Sequence, residues 1–352
     1  MEIIVWTLML LGLIYIFFQI KRLSFINKLK KPFDYLVAFS FILPFIILSI
    51  FYLWAVAIYL AHLLIIYFIT NIIERIRYKK IKHYNATNIV AISVTTFIMC
   101  IAYFVLTLHT FEVKYEVKNL KSDSSLRVAL IADVHLSTIL DGKDFEEKLH
   151  VIEEEDPDIL VITGDFVDDK TKYDDVVYAS QALGNFSSKY GVFYVQGNHD
   201  KGYRKSSYRG FSIDDLYSEF KKNNVKVLED ELYYINDDYV LAGRKDRSCK
   251  DRLDAYDLVN EVDDDKYIIM LDHQPNDYKN ELCSDLVLSG HTHGGNLFPI
   301  NFLVTLANDQ TYGIKRIENT DFIVTSGLSQ WSIPFNTCIY NEYVLIDING
   351  NM

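Results

Sequence analysis

Five short polar segments between residues 133 and 295 hold most of the side chains that could perform chemistry. They are Asp133-Val-His135, Gly164-Asp-Phe-Val-Asp168, Gly197-Asn-His-Asp200, Asp272-His-Gln-Pro275 and Gly290-His-Thr-His-Gly-Gly295. Five of the nine histidines lie in these segments, together with carboxylates and one Asn, and no cysteine joins them. Imidazole and carboxylate ligands without thiolate suit Mn, Fe, Zn or Ni in a catalytic site rather than a structural zinc site.

The number of candidate ligands exceeds what one ion needs. Seven side chains are candidates, namely Asp133, His135, Asp165, Asn198, His273, His291 and His293. If one carboxylate bridges, each of two ions receives four ligands and keeps a position for water. Two ions about 3.5–4 Å apart acidify a shared water at neutral pH and clamp the oxygens of a phosphoryl group during in-line attack. We therefore predict two divalent ions as cofactors and a phosphate ester, rather than an acyl group, as the substrate.

Further residues of these segments are predicted to complete the reaction. His199, beside Asn198, is placed to act as the general acid that protonates the leaving oxygen. Asp168 is predicted to orient the His199 imidazole and to hold it protonated. Four basic residues then follow without an intervening acid, namely Lys201, Arg204, Lys205 and Arg209. They predict a loop that binds the phosphate or headgroup of the substrate, with a solvated loop as the alternative.

Short apolar runs separated by amphipathic segments begin near Leu126 and must position these residues. The runs predicted as buried strands are 128–132, 159–162, 192–195, 239–242, 267–271, 286–288 and 322–325. Helices are predicted around 145–152, with Asp144 and Glu147 as a capping box, and at 174–186 and 212–223. The alternation indicates an α/β layered domain. Because each polar segment follows a strand, the segments should converge on one crevice.

Three uncharged apolar stretches precede this domain, at residues 3–20, 35–73 and 84–111. A helix needs about 20 such residues to cross the hydrocarbon core. The middle stretch, 39 residues long, fits two helices joined near Ser49 to Tyr52, with one long tilted helix as the alternative. The sequence predicts a transmembrane region over 1–111, with spans at 3–20, 33–51, 53–73 and 88–108, and a catalytic domain over 112–352.

Charge predicts how the chain is oriented. The chain contains 35 basic and 47 acidic residues. Ten of the basic and three of the acidic residues lie in the first 109 positions. The remaining 25 basic and 44 acidic residues give the rest of the chain a net charge of -19. The basic clusters at 21–31 and 75–82 belong in the cytoplasm by the positive-inside rule, so two crossings should separate them. We expect a multi-pass cell-membrane protein whose acidic domain lies outside the cytoplasm, with the lipid bilayer as a partner and no nucleic acid.

The ordered set D-x-H, GDxxD, GNHD, a lone His after a strand and GHTHGG resembles the calcineurin-like metallophosphoesterase superfamily from about residue 126 onward. The resemblance implies a two-sheet sandwich flanked by helices. It also implies that Asp133, His135, Asp165 and His293 hold the first ion, that Asp165, Asn198, His273 and His291 hold the second, and that His199 is the catalytic acid. Finer features are similar to a membrane-anchored bacterial and archaeal branch, some members of which act on lipid-linked or nucleotide-lipid phosphates. These features are Ala242-Gly-Arg-Lys-Asp-Arg-Ser248, His273-Gln-Pro275, GHTHGG and Ser326-Gly-Leu328. Asn296 and Asn336 depart from that branch and leave the substrate open.

Three functions are compatible with this organisation. The leading hypothesis is a membrane-anchored phosphohydrolase, with manganese among the candidate metals, that cleaves a phosphomonoester or phosphodiester. A lipid or cell-envelope substrate follows only from the tether, which raises the effective concentration of membrane-borne molecules. The alternative, a membrane sensor or scaffold that binds phosphate without catalysis, predicts a missing ligand or acid, and none is missing. A transporter would need paired charges or broken helices in the spans, and His62 alone gives little support.

Overall fold

The computed structural model describes residues 2–78, 84–298, 300–331 and 335–350. The chain forms two compact units, Met1–Tyr103 and Phe104–Met352. The predicted boundary after residue 111 falls within the first strand of the second unit. Three lysines of the second basic cluster, Lys79, Lys80 and Lys82, lie outside the described residues.

The N-terminal unit is helical. Its elements are α1 (Glu2–Lys21), α2 (Ser24–Asn27), α3 (Phe33–Tyr78) and α4 (Tyr84–Ile101), and a π-helix at Ala102–Thr107 continues α4. Three segments are long and apolar enough to cross a membrane, Phe33–Ile50, Tyr52–Tyr78 and Ala86–Thr107, and Val5–Lys21 is a shorter apolar helix. Helix α3 is interrupted at Tyr52 (φ -133°, ψ 48°), in the segment where the sequence places a turn. The count of four spans stays a prediction.

The second unit contains two six-stranded mixed sheets. The first sheet is ordered β1 (Thr110–Lys118), β12 (Asn341–Asn349), β2 (Leu126–Ile131), β3 (Ile159–Thr163), β4 (Val192–Val195) and β5 (Lys226–Val227). The second is ordered β10 (Gly313–Ile317), β11 (Thr320–Val324), β9 (Leu286–Ser289), β8 (Tyr267–Leu271), β7 (Tyr239–Gly243) and β6 (Glu231–Tyr234). Strands β2 to β5 run parallel, as do β7, β8, β9 and β11.

The sheets pack face to face, and helices cover their outer faces. Leu130 and Val161 of the first sheet share one buried cluster with Leu241, Ile269 and Leu288 of the second. The helices of this unit are α5 (Gly142–Glu153), α6 (Tyr173–Asn185), α7 (Ser206–Arg209), α8 (Ile213–Lys222), α9 (Ala255–Val259), α10 (Tyr278–Glu281) and α11 (Asn301–Ala307). Helices α5, α6 and α8 pack on the first sheet, and α9 and α10 on the second. The predicted helix-flanked sandwich is confirmed.

Local sequence signals found some elements and missed others. All seven predicted strands are present, but β1, β5, β6, β10 and β12 were not predicted. The predicted capping box of α5 is wrong, because the helix begins earlier, with Asp141 as its N-cap. The Asp141 carboxylate accepts from the backbone N–H groups of Lys143 and Asp144, and the Asp144 carboxylate accepts from that of Asp141.

Candidate metal centre

The polar segments extend from the carboxyl ends of parallel strands in both sheets. Asp133 follows β2, Asp165 follows β3, Asn198 follows β4, His273 follows β8 and His291 follows β9. Several of these loops have left-handed backbone conformations at non-glycine residues: Asp133 (φ 52°), His135 (φ 42°), Asp165 (φ 51°), His291 (φ 73°) and His293 (φ 47°). Such conformations cost energy and persist only where the surrounding structure fixes them. The loops are thus held so that their side chains converge.

One cluster consists of Asp133, His135 and His293, whose ligand atoms lie within 4.8 Å of one another. Asp133 Oδ1 lies 3.9 Å from His135 Nε2 and 3.6 Å from His293 Nε2. All three residues are buried, and among the described residues neither Asp133 Oδ1 nor His135 Nε2 has a hydrogen-bond partner. Buried polar atoms without partners are expensive, and an ion bound among these three would satisfy them.

The second cluster consists of Asp165, His273 and His291, whose ligand atoms also lie within 4.8 Å of one another. Asp165 Oδ2 lies 3.2 Å from His273 Nε2, which in turn lies 3.1 Å from Asn198 Oδ1. The same Asp165 oxygen lies 3.8 Å from His135 Nε2 of the first cluster. Asp165 therefore stands between the two clusters, and the set of N and O donors fits two divalent ions.

Hydrogen bonds around the two clusters use the outer atoms of the ligand side chains and leave the inner oxygen or nitrogen atoms directed toward the metal positions. Asp133 Oδ2 accepts from the backbone N–H of His291 (2.8 Å), and Asp165 Oδ1 accepts from that of His199 (2.8 Å), so each carboxylate keeps its other oxygen for the site. His273 Nδ1 lies 2.8 Å from the carbonyl oxygen of Thr163, which leaves Nε2 toward Asp165. Such outer partners fix the orientation of metal-binding side chains.

Two glycines leave room for the carboxylates. A Cβ placed on Gly197 would lie 2.2 Å from Asp165 Oδ1, and one placed on Gly290 would lie 2.5 Å from Asp133 Oδ2. Any side chain at either position would displace a candidate ligand.

Asp200 supports the site in a way the sequence did not reveal. Its buried carboxylate accepts from the backbone N–H groups of Asp165 (2.9 Å), Val167 (2.9 Å) and Gly197 (2.7 Å). It thereby fixes the loops after β3 and β4 relative to each other. The GNHD motif contains Asp200, but only the tertiary structure shows what it holds.

His199 lies beside the clusters, as its position after Asn198 predicted, but Asp168 does not pair with it. The His199 ring packs edge-on to His135 (centroids 5.1 Å apart) and against Tyr203 (4.8 Å). Asp168 Oδ2 instead lies 3.8 Å from His135 Nδ1, and Asp168 Oδ1 accepts from the backbone N–H of Lys170. Burial lowers the pKa of His199, and the charges of Asp165 and Asp168 act to raise it, so the role of Asp168 toward His199 stays a prediction, while its contact with His135 was not predicted.

The structure separates the four predicted basic residues. Arg204 lines a cavity with His199, and its guanidinium lies 4.2 Å from the Tyr208 ring. Arg209 is buried and donates to the carbonyl oxygens of Asp200 (2.7 Å) and Phe211 (3.0 Å), so its prediction as a substrate contact is corrected to a structural role. Lys201 Nζ lies 2.8 Å from Cys249 Sγ. Lys205 is exposed at the N-cap of α7.

Burial and the facing charges shift the ionisation of the clusters. Burial lowers the pKa of His291 to about 4 and that of His293 to about 3. Burial raises the pKa of Asp133 to about 8. Burial also acts to lower the pKa of His273, but the attraction of Asp165 and Asp133 outweighs it and raises this pKa well above its ordinary value.

We expect metal binding to strengthen as pH rises. Protonated His273 and Asp133 must lose their protons to become ligands, so bound metal and proton compete. For each proton that metal binding displaces, the affinity for metal should rise about tenfold per unit of increasing pH, as long as the pH is below the pKa of that group. Calorimetric titration with Mn²⁺ at about pH 6 and about pH 8, in buffers of different ionisation enthalpy, measures affinity and proton release together. Equal affinities at both values, with no proton released, would contradict this ionisation state.

Comparison with known proteins gives consistent matches. Residues 126–295 match the calcineurin-like phosphoesterase family. The chain is 34% identical over 260 residues to an uncharacterized metallophosphoesterase of Campylobacter jejuni, a match that covers 69% of this chain and 64% of that relative. It is also 34% identical over 247 residues to an uncharacterized metallophosphoesterase of Aquifex aeolicus. That match covers 67% of this chain and 89% of the Aquifex protein.

A vertebrate protein also matches. A transmembrane protein with metallophosphoesterase domain from Danio rerio is 29% identical over 238 residues, covering 63% of this chain and 53% of that protein. The match thus spans less than two thirds of the Campylobacter and Danio relatives and most of the Aquifex one. The family and the names of these relatives indicate a metal-dependent hydrolase. With two Asp/His clusters at the ends of parallel strands, the chain belongs to the calcineurin-like metallophosphoesterase family.

Proposed function

We propose that the protein is a membrane-anchored, dinuclear metal-dependent phosphohydrolase that cleaves a phosphomonoester or phosphodiester. The position of Asp165 carries this proposal, because one of its oxygens faces imidazoles of both clusters. In the proposed site Asp133, His135, Asp165 and His293 hold one ion. Asp165, Asn198, His273 and His291 hold the other. The candidate metals are Mn, Fe, Zn and Ni.

The two ions, when bound, would acidify a water and neutralise the charge on phosphoryl oxygens. The chain supplies the other requirements. Asn198 Nδ2 donates to the Tyr203 hydroxyl (2.7 Å), which turns its carbonyl oxygen toward the site. Burial lowers the pKa of His199 while the charges of Asp165 and Asp168 act to raise it, and the protonated imidazole is proposed to give its proton to the leaving oxygen. A cavity of about 210 Å³ beside His199 is the proposed substrate site, lined by Asp168, Asp169, Lys170, His199, Tyr203, Arg204, Tyr208 and Trp331.

Hydrolysis of simple esters tests the proposal. The full chain, purified in detergent and supplied with Mn²⁺, should hydrolyse bis(p-nitrophenyl) phosphate or p-nitrophenyl phosphate, and a chelator should abolish the activity. Failure to hydrolyse either ester with any of the four candidate metals would contradict an enzymatic function.

We expect the two arginines of the basic loop to differ when each is replaced by Ala. Arg204→Ala should raise KM about tenfold with little change in Tm, because it removes a cation from the cavity wall. Arg209→Ala should lower the free energy of unfolding by about 2 kcal/mol, because two buried carbonyls lose their donor. Steady-state kinetics and thermal unfolding distinguish the two effects. Lys205→Ala is the control, and a KM effect equal to that of Arg204→Ala would contradict a specific role for Arg204.

The proposed orientation places the catalytic unit outside the cytoplasm, where it would meet lipid-linked or cell-envelope substrates. It rests on the two basic clusters and an even number of crossings between them. Alkaline phosphatase fused to the C-terminus should be active in a bacterial host, because that reporter folds only outside the cytoplasm. A fusion to a reporter that works only in the cytoplasm should be inactive, and the reverse pattern would overturn the orientation.

A further inference from the structure

One segment of the acidic catalytic unit carries no charge at all. Residues 294–308, from the end of the GHTHGG motif to Asn308, contain neither acidic nor basic side chains. It lies in a part of the chain, after residue 109, that carries a net charge of -19, and residues 322–341, which include Trp331, also contain no acidic or basic side chain. It includes α11, a helix with no buried residue.

The apolar side chains of α11 point into solvent. Phe302 is 61% exposed, Leu303 is 65% exposed and Leu306 is 83% exposed, and Ile300 at the N-cap is also exposed. Soluble proteins rarely leave such a group of large apolar side chains together on the surface, and where they do, the surface contacts another phase or partner.

Residues 336 and 341 of the same unit hold Leu106 and Thr107, at the start of that unit. Asn336 donates from its backbone N–H to Thr107 Oγ1 (2.9 Å) and from Nδ2 to the carbonyl oxygen of Leu106 (3.0 Å). Asn341 Nδ2 donates to the carbonyl oxygen of Thr107 (2.7 Å). Thr107 ends the apolar segment Ala86–Thr107, so these residues hold the point at which the chain leaves that segment.

The segment before α11 belongs to the same network. Asn296 Nδ2 donates to Gln330 Oε1 (2.5 Å), and Gln330 Nε2 donates to Asn341 Oδ1 (2.7 Å). The backbone N–H of Phe298 donates to Thr337 Oγ1 (2.8 Å). The segment directly before the exposed apolar helix is therefore hydrogen-bonded to the loop and strand residues around Asn336 and Asn341 that hold Leu106 and Thr107.

The helix also adjoins the metal centre. Thr305 of α11 accepts from the hydroxyl of Thr311 (3.2 Å), and the carbonyl oxygen of Thr311 accepts from Thr292 within GHTHGG (2.6 Å). Trp331, which is 42% exposed and directly follows Gln330 of the same network, has its ring 5.0 Å from that of His199. Tryptophan and other aromatic residues favour the boundary between membrane and water.

We propose that Ile300, Phe302, Leu303, Leu306 and Trp331 form a lipid-docking surface that rests in the bilayer interface beside the metal centre. Its occupant is the bilayer rather than a second copy, because the surface carries no charge and the segment before α11 is hydrogen-bonded, through Gln330 and Asn341, to Thr107 at the end of the apolar segment Ala86–Thr107. The inference deepens the proposed function and rests on it: the phosphate ester cleaved would be one carried by a membrane lipid.

Photo-cross-linking of the full chain in vesicles tests the docking surface without relying on activity. p-Benzoylphenylalanine is introduced at Leu303, at Leu306 or at Val151, which is 48% exposed on α5 and serves as the control. The vesicles contain phosphatidylethanolamine, phosphatidylglycerol and a trace of alkyne-tailed phosphatidylglycerol. We expect about tenfold more lipid adduct at Leu303 and Leu306 than at Val151. Equal yields, or adducts mainly between two copies of the chain, would overturn the proposal.

A charge placed in the surface gives an independent result. With the label at Leu303, the second substitution Leu306→Glu should reduce lipid adduct about tenfold, because a carboxylate resists entry into the interface. Val151→Glu should leave it unchanged, and an equal loss in both would overturn the proposal. Hydrolysis of bis(p-nitrophenyl) phosphate by the unsubstituted chain is measured in parallel. Its absence would contradict the proposed function, while the adduct yields would still decide whether the surface docks on lipid.

Discussion

Replacement of Asp165 by Asn is expected to lower kcat/KM for an aryl phosphate ester roughly a thousandfold and to remove at least one of two bound ions. Asp165 Oδ2 lies 3.2 Å from His273 Nε2 and 3.8 Å from His135 Nε2, so one neutral amide would replace the charge shared by both clusters. Loss of an outer hydrogen-bond partner alone costs about 10–100-fold in such sites, and loss of a shared ligand should exceed that. Metal analysis and steady-state kinetics on the same samples measure the effect.

Two further Asp→Asn substitutions serve as comparisons for Asp165→Asn. Asp264→Asn makes the same chemical change on an exposed side chain and should leave both metal content and rate unaltered. Asp133→Asn should weaken chiefly the ion beside His135 and His293, because Asp133 belongs to one cluster only. A full complement of two ions in Asp165→Asn, with normal activity, would show that the clusters do not share this residue.

Replacement of His199 by Gln is expected to reduce kcat about 10²–10⁴-fold for esters with alkoxide leaving groups, the range usual for a lost general acid. The loss should be much smaller for p-nitrophenyl esters, because nitrophenolate departs without protonation. Metal content should not change, since His199 belongs to neither cluster. This dependence on the leaving group distinguishes proton donation from a structural contribution of the ring.

His150→Gln is the matched control for this experiment, since the His150 side chain is 68% exposed on α5. It should behave as the unsubstituted chain with every ester. An equal loss for alkoxide and nitrophenolate esters in His199→Gln would contradict the assignment of His199 as the acid and would point to substrate binding instead.

The sequence was most informative where chemistry is tied to the ends of strands. Buried parallel strands such as β3 and β8 are short continuous apolar runs, and the polar residues directly after them must lie at one edge. That rule brought Asp165 and His273 together, although more than 100 residues separate them. The edge strand β1 was not predicted, because its residues alternate between partly buried and exposed and because the apolar helix before it obscured its start.

The errors arose where a role depends on contacts distant in sequence. Asp168 has the correct spacing from Asp165 to reach the site, but the contact of its carboxylate with His135 was not predicted. Arg209 has the same charge as Arg204, yet the fold turns it inward against the carbonyls of Asp200 and Phe211. Asp200 holds two loops through backbone N–H groups, and such contacts leave no signal in residue type or spacing.

The number of metal ions required for hydrolysis tests the central claim most directly. The metal-free full chain is titrated with Mn²⁺ while bound metal and hydrolysis of bis(p-nitrophenyl) phosphate are recorded on each sample. The two Asp/His clusters predict two ions per chain, with activity that appears as the second site fills. Full activity with a single ion would contradict a dinuclear centre. Two bound ions without hydrolysis of any phosphate ester would instead identify a domain that binds phosphate and does not cleave it.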